Sequence, residues 1–321
     1  MVASEKTPSF TAEDPAIPFS LAQEAWASYK EHRPEYPQSM FDRWYDYHRA
    51  HGGKFDTAHD VGAGGGILSA KLAQSFAHVV VSDPGASNLA LARSALQPAS
   101  RFTFHLGPGE ASWLPAASVD LVAYGESLHW MDTRPALAAA AASLRPGGTV
   151  AAVFYGLVLY FPQDSRLTDL MRATQVAAYR QFFADVPALQ HDKVRSAPGR
   201  CMRGFNSLAL PDDESWIGWS WIGHGGGDLE AFRWLPEEEF PVEDGRVRED
   251  RETVLEIEDE SWGRDVDVAW VKGFLASLAM PYDQRCWDLP PWVEFERIIN
   301  DEFGGTVRAE WPVSLLMGSK I

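Results

Sequence analysis

The chain has 321 residues, of which 45% are hydrophobic and 23% are charged, so it can bury a large core. Its 28 lysines and arginines against 45 aspartates and glutamates give a formal net charge of −17, which argues against nucleic-acid substrates and anionic membranes. Two cysteines, Cys201 and Cys286, cannot form a metal site by themselves and indicate no disulfide framework. We therefore expect no nucleic-acid partner, no membrane partner and no bound metal.

The N-terminal part of the chain precedes the first predicted strand. Residues 1–20 are polar and rich in proline, which predicts a disordered tail and not a signal peptide. Residues 21–32 and 38–51 predict two helices, the second of which ends at a pair of glycines. No run approaches the roughly 18 apolar residues of a membrane span, so we expect a cytoplasmic location.

A glycine-rich segment, HDVGAGGGIL at 59–68, predicts the end of a buried strand, a turn and the start of a helix. Glycines at alternate positions (Gly62, Gly64 and Gly66) let the backbone pass beneath a ligand where a Cβ would collide. Asp83 ends the next apolar run, and an acidic side chain there can accept hydrogen bonds from both hydroxyls of a ribose. The pattern therefore predicts a cofactor that contains a nucleoside.

Strands and helices alternate along the following part of the chain. Strands are predicted at 101–106, 118–124 and 149–155, and an alanine-rich helix covers 135–144. This alternation predicts right-handed crossovers and a parallel sheet that binds its ligand beyond the carboxyl ends of the strands. Four carboxylates fall at or just after predicted strand ends and are expected to converge there: Asp60, Asp83, Glu110 and Glu126.

The glycine spacing distinguishes between two classes of nucleoside cofactor. A dinucleotide fingerprint, G-x-G-x-x-G, would need a glycine at position 67, where the chain has Ile67. The G-x-G-x-G spacing present, with Asp60 before it, resembles motif I of the class I S-adenosylmethionine-dependent methyltransferases. An R-P-G-G stop at 145–148 is a further feature of that family. The pair His129-Trp130, with Y-x-x-x-R-P-x-Y-P at 29–37, narrows the resemblance to the trans-aconitate methyltransferase-like branch.

This resemblance implies a fold, a cofactor and a set of contacts. The fold is an α/β, Rossmann-like, doubly wound sheet of seven strands, mostly parallel with an antiparallel final strand, plus a cap insertion. The turn would pack against the amino-acid half of S-adenosylmethionine, and Asp60 would either fix that turn or reach the cofactor's ammonium group. The expected cofactor contacts are Asp60, Gly62, Ala63, Gly64, Gly66, Asp83, Pro84, Glu110, Ala111 and Tyr124.

The domain boundaries follow from where the motifs stop. Residues 21–156 are expected to form lid helices and the cofactor-binding core. The pattern of alternation breaks at 157–250, which we interpret as a cap over the acceptor site and which includes a predicted hairpin at 242–247. Residues 251–321 are expected to complete the core sheet.

The acceptor site is less clearly indicated. His129 follows the fourth strand, and it would act as a general base for a hydroxyl acceptor or orient a carboxylate acceptor. Alternatively, His129 could be a capping residue that is hydrogen-bonded to the backbone beside Trp130. Arg33 could hold an acceptor carboxylate or pair with a surface acid such as Glu35. The catalytic candidates are His129 and Tyr29, and the expected acceptor contacts are Tyr29, Arg33, His129, Trp130, Trp219, Trp221 and His224.

The predicted function is methyl transfer from S-adenosylmethionine to a small organic molecule, at oxygen by resemblance. Three alternatives remain open at this stage. The chain could be a nicotinamide-dependent oxidoreductase, a cofactor-binding protein that catalyses a pericyclic or elimination reaction, or a non-catalytic subunit. The sequence names neither the acceptor nor the oligomeric state.

Overall fold

The computed structural model describes residues 29–185, 202–205, 208, 210–211, 215–225, 232–236, 252–278 and 282–321. The predicted tail at 1–20, most of the predicted helix at 21–32 and the predicted hairpin at 242–247 lie outside the described residues.

Helices and strands alternate through the first half of the described chain. The helices are α1 (Gln38–Ala50), α2 (Ile67–Leu72), α3 (Ala86–Ala95), α4 (Thr133–Ser143), α5 (Ser165–Asp185), α6 (Val268–Ala276), α7 (Gln284–Trp287) and α8 (Pro290–Arg297), with a π-helical turn (Ile298–Glu302) after the last. The strands are β1 (Thr57–Val61), β2 (His78–Asp83), β3 (Phe102–Leu106), β4 (Val119–Gly125), β5 (Leu144–Tyr155), β6 (Met202–Phe205), β7 (Trp216–His224), β8 (Glu252–Ile257), β9 (Gly263–Val266), β10 (Val307–Glu310) and β11 (Val313–Lys320).

One sheet dominates the fold, with the strand order β3-β2-β1-β4-β5-β11-β7-β8. Strands β1 to β5 are parallel to one another, and β11 is antiparallel to both β5 and β7. This confirms the predicted Rossmann-like sheet with an antiparallel final strand. The sheet has eight strands where seven were expected, because β8 adds a parallel edge strand beside β7.

Strand β7 corrects part of the predicted cap at 157–250, since it is hydrogen-bonded within the main sheet. Regular alternation along a strand would place Trp216 and Trp219 on opposite faces, but their rings lie 5.2 Å apart on one face. The reason is a β-bulge: Gly218 has φ +64°, and the register with β11 shifts there, which reverses the alternation of side chains.

Helices cover both faces of the sheet. One face packs against α1, α6 and α8 through side chains such as Trp44, Phe274 and Trp292, and the other packs against α4. Because both faces are filled, the carboxyl edge of β1, β2, β4 and β5 is the part of the sheet left for a ligand. In the described part of the chain every helix is too short or too polar to span a lipid bilayer.

Candidate functional site

The glycine turn between β1 and α2 is held by backbone hydrogen bonds to the neighbouring strand. The N–H groups of Gly62 and Ala63 both donate to the carbonyl oxygen of Ser82 at 2.9 Å. Gly62, Gly64 and Gly66 have φ angles of +70°, +54° and +83°, which residues with a side chain rarely adopt. A Cβ on Gly62 would lie 2.6 Å from the Cβ of Ser127, so the turn also packs tightly against the end of β4.

Asp83 joins the turn to α3. Its Oδ2 accepts a hydrogen bond from Gly64 N–H at 2.9 Å, while its Oδ1 accepts from Gly85 N–H at 2.7 Å and from the Asn88 amide at 3.0 Å. Burial raises the pKa of Asp83, and these three donors partly offset the rise. The carboxylate predicted to hold a ribose is therefore fixed in orientation by the turn that it faces.

Asp60 lies beneath the turn and is 1% exposed. Ser69 Oγ donates to its Oδ2 at 2.5 Å, which ties the end of β1 to the first turn of α2. Burial is the main reason that its pKa is raised to about 7. Of the two predicted roles, this contact favours fixing the turn.

We expect Asp60→Asn to stabilise the protein at neutral pH. In the unfolded chain Asp60 ionises near pH 4, but in the folded protein it ionises near pH 7. Between these values the unfolded chain binds fewer protons, so the contribution of Asp60 to the free energy of unfolding falls as pH rises from about 4 to about 7. Urea unfolding should give a difference between variant and wild type that grows by about 2–4 kcal/mol from pH 4.5 to 7.5. A difference that is constant with pH would contradict the raised pKa.

The loop after β3 reaches toward the loop after β4. Glu110 Oε1 accepts a hydrogen bond from Asp132 N–H at 3.0 Å, and the neighbouring Ala111 is exposed. A Cβ on Gly109 would lie 2.5 Å from Met131 Sδ, and a Cβ on Gly62 would lie 3.2 Å from the methyl group of Met131. Met131, which sequence reasoning missed, thus packs between the glycine turn and the loop that carries the predicted cofactor contacts Glu110 and Ala111.

Tyr124 is 1% exposed, and its hydroxyl donates to Ala136 O at 3.1 Å. It also lines a small cavity together with Gly109 and the predicted contact Ala111. Its contact with the cofactor stays a prediction. Pro84 and Ala63, by contrast, remain half-buried at the edge of the sheet.

His129 lies in a short 3-10 turn, Leu128–Trp130, directly after β4. The imidazole is 5% exposed and meets the ring of Phe154 edge-on, with centroids 5.1 Å apart. Trp130 is half-buried beside it, with centroids 5.3 Å apart. Phe154 in turn contacts Phe232, from the segment predicted as a cap. The histidine therefore lies where the core sheet and this segment meet.

Arg33 connects the N-terminal segment to the sheet and to α6. Its Nε donates to Ser277 Oγ at 2.9 Å, its Nη2 to Ser277 O at 2.8 Å, and its Nη1 to the Tyr155 hydroxyl at 3.2 Å. The guanidinium also stacks on the ring of Tyr29, 4.7 Å from its centroid. These contacts replace the surface pairing with Glu35 that the sequence left open.

Glu126 follows β4 in an unusual backbone conformation, with φ +54°. Its Oε1 accepts a hydrogen bond from Tyr155 N–H at 2.6 Å. Burial raises its pKa to about 8, and the Tyr155 N–H and the charge of Arg33 oppose the rise. The sequence marked this residue as one of four carboxylates at strand ends but gave it no role.

The last three predicted acceptor contacts lie in β7. Trp219 and Trp221 are 3% and 4% exposed and pack in the core on the α4 side, which corrects their assignment to the acceptor surface. His224 ends β7 opposite Val313, which pairs with Tyr155 on its other side, and its Nδ1 accepts a hydrogen bond from Asp259 N–H at 2.9 Å. Its contact with the acceptor stays a prediction.

Comparison with known proteins agrees with this geometry. A family model for a methyltransferase domain matches residues 59–152. Methyltransferase gedG of Aspergillus terreus is 29% identical over 94% of this chain and 93% of its own. Methyltransferase tpcM of Aspergillus fumigatus is 42% identical over 43% of each chain. A solved candidate type II methyltransferase from Anaeromyxobacter dehalogenans shares the fold, with a TM-score of 0.55 and 21% identity over 89% of this chain and 97% of its own.

The chain contains a methyltransferase domain, and the protein is an S-adenosylmethionine-dependent methyltransferase. Its cofactor is S-adenosylmethionine. This agrees with the glycine spacing of the turn, which lacks the third glycine of a dinucleotide fingerprint. Membership of the trans-aconitate branch stays a prediction.

Proposed function

We propose that this methyltransferase acts on an oxygen atom, carboxylate or hydroxyl, of a small organic molecule. The observation that carries the proposal is the placement of His129 and Arg33 on either side of the carboxyl end of β4 and β5, beside the glycine turn. An imidazole can take the proton from a hydroxyl acceptor, and a buried guanidinium can bind an anionic acceptor. The net charge of −17 supports a small acceptor over a polyanion.

The residues at this edge fit the cofactor. A carboxylate whose orientation is already fixed, Asp83, is proposed to hold the ribose. The turn at Gly62 and Gly64 has positive φ angles that favour glycine, and it is proposed to pack against the amino-acid half of the cofactor. Glu110 and Ala111 are proposed to flank the adenine. When bound, S-adenosylmethionine supplies a methyl group activated by a sulfonium.

The chain's own residues then position the acceptor and exclude water. Tyr29 and Arg33 close the edge from the N-terminal segment. We propose that the part of 157–250 outside the sheet covers the acceptor. In support of this, Phe205 and Phe232 from this region pack on Phe154, which lies next to His129. For a hydroxyl acceptor, His129 would take the proton; for a carboxylate no proton is removed and His129 would orient it.

His129→Gln should separate these two cases. With a hydroxyl acceptor we expect kcat to fall by about 10²–10⁴, because a general base is lost, while S-adenosylhomocysteine affinity stays unchanged. With a carboxylate acceptor the fall should be about tenfold or less and appear mainly in KM. His78→Gln is the matched control, since His78 lies at the amino end of β2, at the opposite edge of the sheet.

The proposed function is tested by incubating the protein with S-adenosylmethionine and a panel of small carboxylic acids and phenols. We expect a product heavier by one methylene and an equal amount of S-adenosylhomocysteine. Methylation confined to nitrogen or carbon acceptors would overturn the assignment to oxygen.

A further inference from the structure

Helix α1 begins at the ligand edge without a capping group of its own. Tyr36 precedes the helix, and its hydroxyl would lie 2.9 Å from a Cβ on Gly125, the last residue of β4. Pro37 occupies the cap position and offers no polar side chain, and the first turn contains no acidic residue. The first N–H groups of a helix lack partners within it and carry a partial positive charge. A carboxylate from another part of the chain would therefore stabilise this end of α1.

Asp259 is a buried acid close to that helix end. It precedes a short 3-10 turn, Glu260–Trp262, and its Oδ1 accepts a hydrogen bond from Ser261 N–H at 3.1 Å. Burial opposes ionisation, but Ser39 in the first turn of α1 and Ser261 outweigh it and hold the pKa of this carboxyl below its usual range. Asp259 is therefore charged at neutral pH, with the start of α1 beside it.

The second oxygen of this carboxylate has no hydrogen-bond donor. Oδ2 is buried and forms no hydrogen bond within the part of the chain that the structure describes. The Ser39 hydroxyl lies close to Asp259 but does not complete a hydrogen bond of ordinary geometry. A buried carboxylate oxygen without a donor is costly, and the positive end of a helix offsets that cost through its field. Asp259 thus acts on α1 through charge and not as a hydrogen-bonded cap.

His224 holds Asp259 in place from the end of β7. Its Nδ1 lies 2.9 Å from Asp259 N and 3.1 Å from Ile257 O. An unprotonated Nδ1 accepts from Asp259 N–H and a protonated one donates to Ile257 O, so the ring bonds residues 257–259 in either form. The imidazole is 4% exposed, and the packing around it keeps it in this position. His224 therefore fixes the main chain that carries the Asp259 carboxylate.

The segment ahead of α1 lies against the ligand edge. Arg33 donates to the Tyr155 hydroxyl at the end of β5 at 3.2 Å, and Tyr36 lies against the end of β4. Pro34 and Pro37 restrict the backbone on both sides of Tyr36. A shift in the first turn of α1 is therefore passed on to residues 33–36 and not absorbed before it reaches them.

We propose that Asp259 stabilises the N-terminus of α1 through space and that His224 is the positioning residue that orients Asp259. Together they fix residues 33–36 over the ligand edge. The effect on α1 is independent of any ligand, whereas the effect on binding rests on the proposed placement of the cofactor at the glycine turn. This role needs no contact between His224 and the acceptor.

The test removes the charge and then returns it at a different position. Asp259→Asn keeps the shape of the side chain and removes its charge. Ser39→Asp, added to Asp259→Asn, places a carboxylate in the first turn of α1 itself. Asp283→Asn is the matched control, because Asp283 accepts from Arg285 N–H at 2.9 Å at the start of a different helix, α7. Two quantities are measured on the full chain: backbone amide exchange by mass spectrometry and S-adenosylhomocysteine affinity by calorimetry.

In Asp259→Asn we expect amide exchange in residues 30–44 to rise about fivefold relative to the strands of the sheet, and S-adenosylhomocysteine affinity to fall about threefold or more. Ser39→Asp should reverse most of both changes, because it restores a charge and not the lost packing. Asp283→Asn should leave both quantities at their wild-type values.

Exchange that rises equally throughout the chain, or that does not recover with Ser39→Asp, would contradict the charge effect on α1. Faster exchange with unchanged affinity would contradict the positioning of the ligand edge. If wild type binds no S-adenosylhomocysteine, the placement of the cofactor fails, and the exchange measurements still decide the role of Asp259.

Two substitutions of His224 test the positioning role. Asparagine can place an amide group near the position of Nδ1 and bond residues 257–259, whereas leucine cannot. We expect His224→Leu to reproduce the faster exchange and the weaker binding of Asp259→Asn, and His224→Asn to remain closer to wild type. Equal effects of the two substitutions would show that His224 does not orient Asp259.

Discussion

Replacing Asp83 with alanine is expected to reduce S-adenosylhomocysteine affinity on the order of a hundredfold or more. Two ribose hydroxyls would lose a charged acceptor, and each such hydrogen bond is worth about 1.5 kcal/mol or more. The same change leaves Gly64 N–H and Gly85 N–H without their acceptor, so the glycine turn also loses the contact that orients it. Binding is measured by calorimetric titration of S-adenosylhomocysteine.

Asp83→Asn separates the two contributions. An amide has one acceptor oxygen where the carboxylate has two, so one of the backbone donors from Gly64 or Gly85 would face an amino group. We expect an affinity between those of wild type and Asp83→Ala, with thermal unfolding at a lower temperature than wild type because one buried donor loses its acceptor. Unchanged affinity in Asp83→Ala would remove Asp83 from the site and leave the ribose to another side chain.

The part of the site near the glycine turn could be predicted because its residues are local in sequence and lie at strand ends. Gly62 directly follows β1 and Asp83 ends β2, and because these strands are adjacent and parallel the fold brings the two residues together. The sequence carries this information. The structure adds the hydrogen bonds that join the turn to β2, from Gly62 to Ser82 O and from Gly64 to Asp83.

The contacts of Arg33 and Glu126 could not be predicted in this way. Arg33 reaches Tyr155 and Ser277, which lie 122 and 244 residues further along the chain, and nothing in the local sequence indicates these contacts. Glu126 was visible as an acid after a strand, but its orientation depends on a positive φ at a residue that is not glycine. The one available signal was Gly125 before it, which the structure explains by the closeness of Leu68 and Tyr36.

Strand β7 shows a second limit of the sequence. Its tryptophans were interpreted as a ligand surface because no motif marked the segment, yet they are ordinary core residues of a strand that pairs with β11 from the end of the chain. A strand whose partners are distant in sequence has only its own pattern to identify it. Here the bulge at Gly218 interrupts that pattern.

Replacing Gly62 with alanine is expected to lower the free energy of unfolding by about 2–4 kcal/mol and to abolish measurable cofactor binding. Two effects add: alanine at φ +70° has an unfavourable backbone conformation, and its Cβ would lie 2.6 Å from that of Ser127. Ser127 cannot move freely, since its hydroxyl is bonded to Val61 O within the sheet. The turn must therefore shift, and the ligand edge shifts with it.

Gly52→Ala is the matched control for the backbone effect alone. Gly52 has φ +84°, but no atom lies within 4 Å of where its Cβ would be. We expect this variant to lose only about 1–2 kcal/mol and to bind S-adenosylhomocysteine as wild type does. The difference between the two variants in urea unfolding measures the steric part at Gly62. If that difference is close to zero, Ser127 yields to the new methyl group, and any loss of cofactor binding at Gly62→Ala must come from direct contact between that methyl group and the cofactor.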